Sequence, residues 1–510
     1  MNIAKRVILG TAAILAGAGA HAADLPVKTK PIEYVKICSL YGPGFYYIPG
    51  TDTCIKLSGY LRAALSVAAN SYAYPADSGL GGARNRLSNG YTWRAREGLN
   101  IDTRTATEYG MLRTYFQGVF SWTSGGYSGA GNGSTVYASL GGVQAPNNAN
   151  PGAVAAGTLG VYDAFIQFAG FTIGHAQSQF SAPWADYPGN WYELVGAGGW
   201  ERVNQFTYTA DFGQGVTLSL SAQDQVANYT SNIWNVSAAT PAGLAAGSYG
   251  GNDIAGTIAP DLVAMLRVDQ PWGLFQASFA AHDNHAAYYG ATELTGHPDD
   301  KWGWAGQLAL SIKNIPTGPG DTINMSGVYA KGASRYAFNS YISSSIAMYS
   351  GTSLARAYQS VGLAGLSDSV FATGSGQELT TTSGFQGAYT HNWDPHWATA
   401  IYGGLAAVRY NGTAKGYICN AVVTGLALSS GVAGCNPDFN YASVGTYTSW
   451  TPVKNLTFLA ELNYTMLDQK YADGSTVTLP LQAGTAKPGA AYELKNQNSL
   501  TMLLQAQRNW

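Results

Sequence analysis

Six cations fall at alternate positions of three short stretches: Lys56 and Arg62 in residues 54–67, Arg94, Arg96 and Arg104 in 92–104, and Arg113 in 111–122. Alternate residues of an extended chain point to one side. These cations therefore share a face with Ser58, Tyr60, Asn100, Asp102, Tyr115 and Gln117. Guanidinium groups keep their charge at any physiological pH and offer forked donors to carboxylate or phosphate. The chemistry they offer is electrostatic sorting of ions and polar solutes along a wetted wall. The bland reading is that each cation is merely solvated or paired with an acid such as Asp102.

Catalytic patterns are absent. His282 and His285 stand three apart without the helical H-E-x-x-H arrangement, and His391 and His396 flank a turn. Neither G-x-S-x-G nor G-x-x-x-x-G-K-[ST] occurs. The glycine-rich GAGNGS at 129–134 precedes no helical pattern and reads as loop. The four cysteines, Cys38, Cys54, Cys419 and Cys435, form two pairs 16 residues apart. An even count in an exported chain favours disulfides over a metal centre, for which C-x-x-C and neighbouring histidines are missing. Of three possible connectivities, Cys38–Cys54 and Cys419–Cys435 close the shortest loops. No catalytic residue, metal or cofactor is expected.

The elements that must position the cations are strands. Opposite Lys56, Ser58, Tyr60, Arg62 and Ser66 lie Ile55, Leu57, Gly59, Leu61, Ala63, Leu65 and Val67. Opposite Arg94, Arg96, Asn100, Asp102 and Arg104 lie Trp93, Ala95, Leu99, Ile101 and Thr103, with Glu97 a misfit on the apolar side. The alternation recurs at 111–122, 203–212, 216–223, 456–466 and 499–510, where Arg508 is a second misfit. Seven tight turns rich in Gly, Pro, Asn and Asp alternate with eight long stretches, at 70–91, 125–159, 179–201, 226–259, 286–300, 337–379, 411–437 and 469–492.

Only 11% of the residues are charged, while Tyr (34), Trp (13) and Gly (64) abound. A water-facing surface carries about 25–35% charged residues, so much of this one faces another medium. Mean hydropathy is only −0.06, and no apolar run long enough for a membrane helix follows residue 25. A sheet with one apolar face and no helices to cover it can close on itself in lipid, which also removes its edges. Fifteen alternating connections join sixteen strands, so the expected fold is all-β: a 16-stranded antiparallel transmembrane β-barrel with short periplasmic turns and long extracellular loops. Trp93, Trp122, Trp304, Tyr464 and Trp510 suit its interfacial girdles. A secreted β-solenoid would need a fixed repeat, which is missing.

Residues 1–22 carry Lys5 and Arg6, an apolar run from Val7 to Ala20 and Ala20-His21-Ala22, the pattern of a cleaved signal peptide. The mature chain then holds 25 basic against 29 acidic residues, without the clustered basic face that nucleic acid requires.

The segment PIEYVKICSLYGPGFYYIPGTDTCIKLSGYLR, residues 31–62, resembles the amino-terminal block of alphaproteobacterial general-diffusion porins. YDAFIQFAGFTIG at 162–174 and the terminal Trp510 are similar to that family too. The resemblance implies a Gram-negative outer-membrane channel for passive diffusion of small hydrophilic solutes and ions, built as a homotrimer. It also implies that Trp510 closes the barrel and signals to the barrel-assembly machinery. The third long loop, 179–201, would fold inward and set Asp186, Glu193 and Glu201 against Arg62, Arg94, Arg96 and Arg113 at a constriction, with Lys56, Asp102, Arg104 and Tyr115 lining the pore. Residues 23–53 are expected to form an amino-terminal periplasmic segment with a disulfide loop, either outside the barrel or tucked into its mouth, and 54–510 the barrel. An outer-membrane barrel enzyme or adhesin is the alternative, and would carry a rim triad or very long repetitive loops.

Overall fold

The computed structural model describes residues 36–69, 75–123, 153–154, 157–184, 194–198, 201–225 and 229–510. The signal-peptide segment, GAGNGS, Asp186 and Glu193 lie outside the described residues.

Sixteen strands make the wall: β1 (Cys54–Val67), β2 (Tyr91–Thr107), β3 (Gly110–Thr123), β4 (Gly157–Phe168), β5 (Phe171–Gln177), β6 (Arg202–Asp211), β7 (Val216–Gln223), β8 (Asp261–Gln270), β9 (Gly273–Asn284), β10 (Lys301–Lys313), β11 (Thr322–Lys331), β12 (Thr381–Asn392), β13 (Trp397–Arg409), β14 (Phe439–Val453), β15 (Leu456–Gln469) and β16 (Gln497–Asn509). Each pairs antiparallel with the next, and β16 returns to β1 from Tyr60↔Asn509 to Val67↔Met502, closing the ring. Beyond the last ladder pair, the Trp510 amide donates to the Gly59 carbonyl at 3.0 Å, and the Gly59 amide donates to the Trp510 main-chain oxygen at 3.1 Å. The indole lies over Gly59, where a Cβ would approach the ring to 2.6 Å.

Apolar residues point outward, as the alternation predicts: Leu57, Leu61, Phe120, Phe206, Leu220, Leu308, Leu405, Leu462 and Leu500 are all exposed on the barrel's outer face. Aromatic girdles flank them. Trp397 stacks on Trp450 at 5.7 Å and Trp450 on Phe458 at 5.5 Å near the short-turn end, while Trp304 packs on Tyr329 at 5.5 Å toward the long-loop end. Arg508 bonds the Lys454 carbonyl in a short turn, which places its charge at the rim where cations cost little. Glu97 stays on the outer face, in register with Leu61 and Phe120.

The inner face departs from a uniformly polar lining. Val263, Ala280, Ala305, Val328, Ala406, Val408, Phe439 and Leu467 point inward and are buried, because the long connections cover them rather than water. Trp234, Tyr249, Tyr336, Phe338, Ile346, Met348 and Val370 from those connections join the same core. Two small sheets tie the loops together. One combines Asn232–Asn235 with Ser367–Phe371, the other Ser345–Ser350 and Ser360–Gly365 with Thr476–Leu479 and Ala490–Leu494. A helix at Gly412–Leu426, capped by the Asn411 side chain accepting from the Ala414 amide, packs into this lid, and Cys419–Cys435 pins it.

Candidate functional site

The in-register pairing of β1, β2 and β3 stacks the lumen-facing cations in two tiers. In the tier nearer the loops, Arg62 pairs with Arg96 and Arg96 with Ser121, and Arg94 stands one inward position further along beside Ala64 and Thr123. Arg62 Nε donates to Gln507 Oε1 at 2.7 Å, Arg94 Nε to Thr123 Oγ1 at 2.8 Å and Arg96 Nε to Ser121 Oγ at 3.1 Å. Aromatic faces stiffen two of them: Arg62 lies 4.8 Å over Tyr60 and Arg96 5.5 Å over Tyr162. Tyr162 is the extra residue of a bulge between Gln117 and Gly118 of β3 and their β4 partners Asp163 and Val161.

The second tier lies at the short-turn end. Arg104 is in register with Cys54 and Arg113, and Lys56 with Asp102, itself opposite Tyr115. Both oxygens of Asp102 accept from Arg104 at 3.2 and 2.9 Å, and both accept again from Arg113 at 3.1 Å. Eight residues of β2 separate Arg96 from Arg104, about 27 Å along the strand. The structure thus gathers Arg62, Arg94 and Arg96 together and sets Arg113 apart from them with Arg104 and Lys56.

Residues 36–53 fold against this second tier, tied by the Cys38–Cys54 disulfide and by Tyr46 and Tyr47 pairing with Ile55 and Cys54. The buried Phe45 ring sits 4.8 Å from the Arg104 guanidinium carbon and 5.9 Å from Lys56 Nζ. Because both cations face the lumen, this strap is tucked into the mouth.

The third long connection lies inside the barrel at both of its described ends. Gln276 Nε2 donates to the Phe180 and Ser181 carbonyls, each at 3.2 Å, and Gln307 Nε2 to the Phe180 carbonyl at 2.8 Å. Further along, the Leu194 carbonyl accepts from Asn339 Nδ2 at 2.6 Å and the Gly196 amide donates to the Ala337 carbonyl at 3.1 Å. The backbone touches the wall directly. A Cβ on Gly404 would stand 2.1 Å from the Val195 carbonyl oxygen, and one on Gly384 2.5 Å from the Gly196 Cα. Inward-facing glycines make room for the loop.

Glu201 does not join the arginines of β1–β3. It is 3% exposed, accepting from the Ser340 amide at 2.9 Å and the Ser340 hydroxyl at 3.2 Å. Burial pushes its carboxyl up, opposed by the Ser340 hydrogen bonds and the charges of Arg335 and Arg202.

A family model described as the porin subfamily matches residues 24–503. The chain belongs to the porin subfamily. Porin Omp2a of Brucella ovis is 31% identical over 269 residues, which span 52% of this chain and 71% of that one. Porin Omp2b of Brucella abortus strain 2308 is 28% identical over 322 residues, 61% of this chain and 79% of its own. In fold, the barrel resembles the outer membrane channel DcaP of Acinetobacter baumannii, with a TM-score of 0.56 at 14% identity, covering 91% of this chain and 99% of that one. This porin is an outer-membrane channel protein, with its short turns at one end of the barrel and its long loops at the other.

One cluster of the porin escaped the sequence reading. His282, set aside above for want of a helical H-E-x-x-H arrangement, is fully buried at the long-loop end of β9. Its Nδ1 lies 2.8 Å from Asp261 Oδ1 and its Nε2 3.7 Å from Asp368 Oδ2. Tyr336 donates to Asp261 at 2.5 Å, while the Ser231 and Ser334 amides donate to Asp368 at 2.5 and 2.6 Å. This network fastens the connections after β7 and β11 to the wall. Its signal in the sequence was only an inward register for His282; Asp368 lies 86 residues away, inside a connection with no strand period of its own.

Proposed function

We propose that this porin passes small hydrophilic solutes and ions by passive diffusion and sorts them at the level of Arg62, Arg94 and Arg96. The observation that carries the reading is this three-guanidinium tier, held in one register by β1–β3 beneath an inward-folded third connection. In this reading Asp186 and Glu193 of segment 179–201 supply the opposing negative charge and create a transverse field. Charge placement and pore width then choose the solute. Glu201 acts as an anchor for Ser340 rather than as a pore carboxylate, and Arg113, Lys56, Asp102, Arg104 and Tyr115 line the periplasmic mouth.

The protein assembles as a homotrimer in the outer membrane, after cleavage behind Ala22 and recognition of Trp510 by the barrel-assembly machinery. The interlocking of Trp510 with Gly59 across the seam supports a structural role for the terminal aromatic as well. Liposomes containing the purified protein should swell in isosmotic solutions of small neutral sugars and cease to swell as the sugar grows. Liposomes that stay tight to every solute would refute the diffusion reading.

A further inference from the structure

We infer that the periplasmic mouth holds a second, separate station that binds doubly charged oxyanions of the phosphate class. The inference builds on the channel reading only in that solutes reach this mouth; the site itself is argued from its own residues. Three cations, Lys56, Arg104 and Arg113, face one carboxylate, Asp102, on two adjacent inward levels of β1–β3. Two positive charges are left over. Asp163, one inward level further along the wall on β4, is already bridged to Arg202 at 3.2 Å.

Asp102 engages Nε and Nη2 of both guanidinium groups, and Gln167 takes Arg113 Nη1 at 3.0 Å. The donors left over are Arg104 Nη1 and the Lys56 ammonium, for which no carboxylate stands within ion-pair distance among the described residues. Both cations rest on the same Phe45 ring, 4.8 and 5.9 Å from its centre, so the strap fixes them as neighbours. Tyr41 backs Arg104 at 5.7 Å, and Tyr115 and Phe165 back Arg113 at 5.1 and 5.5 Å. Aromatic backing limits the side-chain freedom that an anion would otherwise have to quench on binding. Two fixed cations with free donors favour a tetrahedral dianion over a monovalent one, since Coulomb attraction scales with charge. The side chains of Arg104 and Arg113 remain 24% and 22% exposed, so the station is open to solute.

The test is phosphorus-31 line broadening of inorganic phosphate titrated into the detergent-solubilised full chain. Saturable broadening is expected, with sulfate competing and nitrate failing to compete. Lys56→Ala should weaken binding about fivefold, as loss of one charge-assisted contact implies, and Arg104→Gln by at least as much. Arg508→Gln, on the outer rim, should leave it unchanged. Lys56→Ala, which keeps Asp102 and both its arginines, guards against a folding defect in the Arg104 variant. Unaltered phosphate binding in Lys56→Ala, or equal competition by nitrate, overturns the inference. Because the measurement needs no ion flow, phosphate binding in a protein that conducts nothing would fault the channel reading and support the station.

Discussion

Adding one methyl group at Gly404 tests whether the third connection is seated on the inner wall. Gly404 faces inward on β13, and its Cβ would stand 2.1 Å from the Val195 carbonyl oxygen and 2.9 Å from Leu194 Cδ1. Ordinary contact for a Cβ begins at about 3.4 Å, so the loop backbone must retreat by more than 1 Å, whereas a few tenths of an ångström suffice at 3.3 Å. Overpacking of this kind costs about 1–3 kcal/mol. The retreat also stretches the bonds from Asn339 to Leu194 and from Gly196 to Ala337, now 2.6 and 3.1 Å. Gly403 is the internal control. It faces the opposite side of the same strand, where a Cβ meets nothing closer than the Ser443 carbonyl at 3.3 Å. Gly403→Ala should be neutral, or stabilising by a few tenths of a kcal/mol through the unfolded chain. Thermal unfolding in detergent and single-channel recording report the two effects, lower stability and noisier current for Gly404→Ala alone. Equal behaviour of the two variants would mean that the loop does not lie against β13.

Arg94→Ala with Arg96→Ala should move the reversal potential toward cation preference. A charge about 6 Å from a passing ion contributes about 0.7 kcal/mol in water, or about 0.4 after screening at 0.1 M salt, so two charges change the cation-to-anion ratio by about tenfold. An unmoved reversal potential would exclude the tier from selection. Removing both Cys419 and Cys435 as serines should loosen the Gly412–Leu426 helix by about 3 kcal/mol, seen as faster amide exchange there; unchanged exchange would contradict the pinning role.

Asp77, buried in the first long connection and accepting from the Ser343 hydroxyl at 2.9 Å, has its carboxyl pushed up by burial from 3.8 to about 6. The folded loop therefore keeps a proton that the detached loop releases. The contribution is full below pH about 4 and is lost as pH rises through about 6, amounting to at most about 3 kcal/mol. Amide exchange around Ser343 should speed up across that window, and Asp77→Asn should flatten the profile.

The barrel was legible because its outer surface obeys one rule everywhere. Lipid admits no polar backbone or side chain cheaply, so period two persists from Ile55 to Arg508 and the turns punctuate it. The grouping of Arg62, Arg94 and Arg96 was legible for the same reason, since alternation assigns them one face. What separates Arg113 from that group is strand register, which emerges only when β1, β2 and β3 are paired. The lid was illegible because Trp234, Tyr336, Phe338 and Val370 lie in stretches whose composition reads as loop and whose partners are far away in sequence. Glu201 misled for a related reason: a carboxylate in the inward loop looked available to the arginines, yet the Ser340 amide and hydroxyl claim it.

The claim beneath all of this is that the ring of sixteen strands surrounds a continuous aqueous path. Recording from the purified protein in a planar lipid bilayer tests it most directly. Discrete, ohmic conductance steps at low voltage, arriving in groups of three, are the expected result. A correctly folded, detergent-soluble barrel that inserts into the bilayer and passes no current would contradict it.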